Sequence, residues 1–118
     1  MLDKLLGSKT AQKIFLHLFH HGETYPSAIA NDFEISLGQV QRQLDRFEQA
    51  GVIISKLVGN TRVYCFNERL GIARAFKEVV KREYEAMAIS EKEKFFQTRR
   101  RPRRRGKPVY GRKSGSEN

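Results

Sequence analysis

The stretch SLGQVQRQLDRFEQAGVI, Ser36 to Ile53, carries its own start and stop signals. Ser36 followed three residues later by Gln39 is a capping box, in which the serine hydroxyl accepts from the Gln39 amide and the glutamine side chain reaches back. Gly51 supplies the left-handed residue that ends such a helix. The hydrophobic period then changes. VIISKLV and RVYCF are β-favouring runs separated by GNT. Gly59 and Asn60 can both take positive φ there, so the two runs read as a hairpin. A capped helix that feeds directly into a hairpin leaves a short chain few ways to build the rest of its core.

The segments before it supply two more helices. From Ser8 to His20, Ala11, Ile14, Phe15, Leu18 and Phe19 recur at helical spacing, after an apolar lead of Leu2, Leu5 and Leu6. Gly22 closes that helix. Thr24 and Pro26 open a short second one through Ile29, Ala30 and Phe33, with proline where its missing amide is harmless. Beyond the hairpin a helical pattern runs from about Glu68 to about Gln97 through Leu70, Ala73, Phe76, Val80, Tyr84 and Met87. The chain therefore divides into a helix-and-hairpin domain at 1–67, a long C-terminal helix at 68–97 and a tail at 98–118. The fold class is mainly α with a small β-hairpin.

The polar face of the third helix follows from its apolar one. With Leu37, Val40, Leu44 and Phe47 on one stripe, Gly38, Arg42, Asp45 and Gln49 point the opposite way, flanked by Gln39, Gln41, Gln43 and Arg46. A surface helix that needs only solubility favours Lys and Glu, which form spaced ion pairs. Gln and Arg instead offer directed hydrogen bonds, suited to adenine and guanine edges in a DNA major groove.

The charge is unevenly placed. Of a net +10 over 118 residues, residues 1–98 contribute +2, from 14 Lys/Arg and 12 Asp/Glu, and residues 99–118 contribute +8. The segment RRRPRRRGKPVYGRKSGSEN combines like charges with Pro and Gly, a composition that predicts disorder and a polyanionic partner. A single cysteine, Cys65, excludes an internal disulfide and predicts a reducing cytoplasm; alternating with Val63, it reads as a small apolar group. The longest uninterrupted apolar run near the start, IFL, is too short for a signal or transmembrane segment, so no membrane role is expected. No cofactor is expected and no enzyme is predicted, because phosphate-cradling glycine loops and nucleophile–base orders are missing. His17 and His21 stand four apart with His20 beside them, a spacing that can hold a metal. No acidic or thiol ligand shares their helix, so no metal centre is expected.

These pieces together resemble the winged helix-turn-helix domain, and most closely the arsenic-repressor-like transcriptional regulators, over residues 3 to 90. The matching segments are LLGSKTAQKIFLHLF, YPSAIANDFEISLGQVQRQLDRFEQAGVI and VGNTRVYCFN. The resemblance implies that helix 37–50 enters the major groove and that its first turns read bases. Carried over, the readers are Gly38, Gln39, Gln41 and Arg42, with Gln43 and Arg46 behind them, while Ser36 meets a phosphate at the helix start. Asn60, Thr61 and Arg62 form the wing tip, placed for phosphate or minor-groove contact, and Lys9 and Lys13 are further backbone candidates. The implied partner is double-stranded DNA in a cytoplasmic, nucleoid-associated setting. A homodimer through residues 68–90 is expected from Ala73, Phe76, Val80 and Met87, whose apolar seam runs past what the domain can bury. The competing reading is an architectural or RNA-associated protein held mainly by charge.

In the tail, Arg105-Gly106-Lys107-Pro108 is similar to the core of an AT-hook, in which a glycine lies on the minor-groove floor between cations. Arg103 and Arg104 precede it; Lys107 departs from the usual second Arg, and Arg104 stands where proline often precedes. The alternative is a nonspecific polybasic arm. Under both readings, deleting residues 99–118 lowers the salt slope of DNA binding by several units, at about 0.9 per phosphate neutralised. Gly106→Ala separates them: affinity for A·T-rich flanks, measured by competition, falls for a hook and is unchanged for an arm.

Overall fold

The computed structural model describes residues 1–96. In chain order these form α1 (Leu2–Leu6), α2 (Lys9–His21), α3 (Pro26–Phe33), α4 (Leu37–Gln49), β1 (Ile53–Val58), β2 (Thr61–Phe66), α5 (Gly71–Glu85) and α6 (Ile89–Phe96). Residues 1–88 make one compact unit, and α6 begins a second. The tail positions Arg103, Arg104, Arg105, Gly106 and Lys107 lie outside the described residues.

α2 is the centre of the first unit. Ser8 starts it by accepting from the Ala11 amide, and Gly22, at φ 80°, stops it with its amide on the Leu18 carbonyl. Ala11, Ile14, Phe15, Leu16, His17 and Leu18 are all buried, so the helix is enclosed on nearly every side. Phe15 touches three other elements at once, with ring centroids 4.3 Å from Phe47 of α4, 6.1 Å from Phe66 of β2 and 4.8 Å, edge-on, from Phe76 of α5. Phe19, expected inside, is only half-buried, its ring 5.1 Å from Tyr84. The apolar lead forms a separate one-turn helix, α1, which buries Leu2.

The turn between α3 and α4 and the exit from α4 share one geometry. α3 ends with the Ile35 amide on the Ala30 carbonyl and Glu34 in the left-handed region at φ 56°. α4 ends with the Gly51 amide on Glu48, the Val52 amide on Phe47, and Gly51 at φ 84°. Between them, Ser36 caps α4 by accepting from Gln39 N at 3.2 Å. The stripe of α4 is Val40, Leu44 and Phe47; Leu37, expected to join it, is 44% exposed. It is the first residue of the helix, one position after the Ser36 cap.

The hairpin pairs Ile53 with Phe66 through Val58 with Thr61, leaving a two-residue turn at Gly59 and Asn60. Gly59 has φ 65°, but Asn60 does not take the positive φ expected of it. One left-handed glycine at the first turn position suffices for a primed turn of the second type. Thr24 does not open α3, whose N-cap is Tyr25. It pairs instead with Tyr64 by two backbone bonds of 3.0 and 2.7 Å, pinning the hairpin to the loop before α3.

The single helix expected over 68–97 is interrupted. α5 ends at Glu85 and α6 starts at Ile89. The last α5 side chain bonded to α2 is Tyr84, whose hydroxyl lies 2.7 Å from His20 Nδ1. Short helices owe most of their stability to packing, and continuity ends one residue after that contact. The expected dimer seam is also revised: Ala73 and Val80 are buried and Phe76 lies against Phe15, so these residues bind α5 to its own domain.

Among the described residues Glu34 alone combines a side chain with positive φ. Asparagine tolerates that conformation better. Glu34→Asn is therefore expected to stabilise the fold by about 0.5–1 kcal/mol, read as a higher thermal midpoint.

Candidate nucleic-acid interface

The outward face of α4 is presented by the two turns that bracket it. Ser36, Gly38, Gln39, Gln41 and Arg42 are exposed, with Asp45 and Gln49 continuing the same side. A Cβ on Gly38 would meet only Arg42 Nη1, at 3.6 Å, so the space above this backbone is open apart from the Arg42 guanidinium folded back toward the helix start. Gly38, Gln39 and Arg42 thus share the first turns of the helix, where directed donors and a close-approaching backbone coincide. Arg46 and Gln43 are engaged with one another, Arg46 Nη1 donating to Gln43 Oε1 at 2.9 Å, and Gln43 is half-buried.

Asn60 and Thr61 are exposed at the hairpin tip, beside exposed Leu57 and Val58. Arg62 turns back from the tip: its Nη1 donates to Ser55 Oγ at 3.0 Å, and Ser55 Oγ donates to Glu48 Oε2 at 2.7 Å. That relay links the wing to the end of α4, so Arg62 contributes to the angle between wing and helix. Lys9 is exposed, whereas Lys13 lies over the Phe33 ring at 5.7 Å. Burial pushes the Tyr64 phenol up from its usual range, with the charges of Glu48 and Asp45 adding to it. Burial and the nearby Glu23 charge likewise push the Cys65 thiol up.

One cluster escaped the sequence. His17 Nε2 lies 2.7 Å from Asp32 Oδ2, with both side chains buried, and the His21 ring centroid is 4.4 Å from that of His17. Asp32 comes from α3, so its place beside the histidine pair depends on how α3 crosses α2. Of the sequence signals, only the four-residue spacing of the histidines pointed here.

Helices α2, α3 and α4, with the turn between α3 and α4, and the two-stranded hairpin that follows α4 define a winged helix-turn-helix domain. The chain is similar in structure to ZitR of Lactococcus lactis. Against a doubly substituted mutant of that protein the TM-score is 0.51 at 15% identity, covering 73% of this chain and 66% of that one. Against a singly substituted mutant it is 0.50 at 16% identity, covering 78% and 64%. At these identities the likeness is one of fold. No protein-family model and no curated protein sequence matches the chain. Among the described residues no helix is long and apolar enough to cross a membrane.

Proposed function

We propose that the chain is a sequence-specific DNA-binding transcriptional regulator of the arsenic-repressor-like kind, working as a homodimer. The observation that carries this reading is the exposed Gly38–Gln39–Gln41–Arg42 surface on the first turns of α4. Gln pairs bidentately with adenine and Arg with guanine, while Gly38 lets the backbone approach the groove. Ser36 and the neighbouring amides at the helix start suit a phosphate, and Asn60 and Thr61 reach the adjacent backbone from the wing.

Because the described residues are nearly neutral, long-range attraction to DNA falls to the tail, where Arg103, Arg104, Arg105 and Lys107 stand among the eight net positive charges of residues 99–118. That concentration is also what favours the second reading, a charge-held architectural binder. Selection of bound sequences from a random DNA pool at physiological salt separates the two. A regulator enriches an inverted repeat, and failure to enrich any sequence overturns the proposal.

The dimer rests on a face other than the expected seam. With Ala73, Phe76 and Val80 turned inward, Ile72, Ala75 and Val79 form a stripe on the outer side of α5, and Ile72 is 75% exposed. An apolar stripe of this kind is suited to its own copy across a two-fold axis.

Two substitution sets test these parts. Gln39→Ala and Arg42→Ala are expected to weaken binding to the selected site by about 1–3 kcal/mol each and to relax preference at one base position. Their thermal midpoints stay unchanged, and equal losses on random DNA would reduce them to phosphate contacts. Ile72→Glu is expected to convert the dimer to a folded monomer in sedimentation, and a wild-type chain that sediments as a monomer removes the premise.

A further inference from the structure

We infer that His17, His21 and Asp32 form a site for one divalent transition metal of the zinc class, joining the C-terminal turn of α2 to that of α3. The three residues each offer a ligand atom, and these atoms lie within 4.8 Å of one another. Four-residue spacing on α2 puts both imidazoles on one side of the helix, and the α2–α3 crossing brings the carboxylate to them.

The geometry is close to what an ion requires. Tetrahedral zinc, with bonds of about 2.0–2.2 Å, holds its donor atoms roughly 3.3 Å apart. The His17–Asp32 contact of 2.7 Å has to open slightly and the widest gap has to close, both within reach of side-chain rotation. The hydrogen-bonded His–Asp pair is the arrangement in which a proton takes the place of the ion.

Burial adds to the case. The His17 side chain is fully buried and that of Asp32 nearly so, which fixes two donors in a low-dielectric setting, and His21 beside them is half-buried. A purely structural His–Asp pair explains two of these residues. The His21 ring, 4.4 Å from that of His17, adds a second imidazole to that pair. His20 packs edge-on against His21, with ring centroids 4.5 Å apart, and its Nδ1 lies 2.7 Å from the Tyr84 hydroxyl.

Donor chemistry selects the class of metal. Two imidazoles and one carboxylate suit zinc, cobalt or nickel, whereas magnesium and calcium prefer oxygen donors throughout and copper(I) prefers thiolate. Asp32 precedes the left-handed Glu34 by two residues, so the ion would clamp α3 at the end that leads into α4. The inference stands on these residues alone and does not require that α4 read DNA.

The test uses the untagged full chain and cobalt(II) as a spectroscopic probe. One equivalent of cobalt is expected to give a visible d–d band that zinc abolishes, and zinc is expected to raise the thermal midpoint. His21→Ala, at a half-buried position, is expected to weaken zinc more than about tenfold in chelator competition and to lose the midpoint shift, while its metal-free midpoint stays near wild type. Asp32→Asn, which keeps a hydrogen-bond acceptor for His17, is expected to lose the band as well. Cys65→Ser keeps it. No 1:1 complex at micromolar metal, a complex unaffected by both His21→Ala and Asp32→Asn, or one abolished by Cys65→Ser overturns the site.

Discussion

The Phe15 ring is the interaction through which the described domain is one body. It sits on the enclosed face of α2 and touches Phe47, Phe66 and Phe76, one aromatic each from α4, the hairpin and α5. Aromatic side chains combine large apolar area with preferred ring geometries, so this cluster fixes orientation as well as proximity. Phe47 ties α4 to this cluster, and Phe66 ties the wing to it. The apolar inner face of α5 is consumed by the same cluster.

The presentation of α4 then depends on backbone chemistry at its two ends. Gly51 takes its left-handed conformation without the steric penalty a Cβ would bring. Glu34 takes the same conformation with a Cβ, storing a small amount of strain in the turn that sets the angle between α3 and α4. The Ser55 relay from Arg62 to Glu48 and the Thr24–Tyr64 bridge fix the hairpin relative to both. A polar surface on a helix is useful for recognition only when such supports hold it still, and here they are spread over four separate segments of chain.

The division of charge follows the same logic. Under the function proposed above, the nearly neutral folded domain with its hydrogen-bonding Gln and Arg would discriminate, and the tail with eight net positive charges would attract. Within the domain His17 and Asp32 face each other with almost no solvent access, so the buried polar atoms of the pair meet one another.

Much of the fold was legible in the sequence because its signals are local. Ser36, Gly22, Gly51 and Pro26 act within a turn of their own positions, and the inward stripe of Val40, Leu44 and Phe47 follows from a period of 3.6. The exposed face carrying Gly38, Gln39, Gln41 and Arg42 follows from that stripe. What the sequence could not decide were matters of which surface lies opposite: Leu37 left exposed at the helix start, Thr24 claimed by Tyr64 instead of a helix start, and α5 ending one residue after its bond to α2. The direction of α5 was undetermined for the same reason, since its inner and outer stripes are both apolar and only the neighbouring Phe15 distinguishes them. Asp32 shows the limit most plainly. Its distance from His17 along the chain carries no information about contact, and only the crossing of two helices brings a carboxylate to a pair of imidazoles.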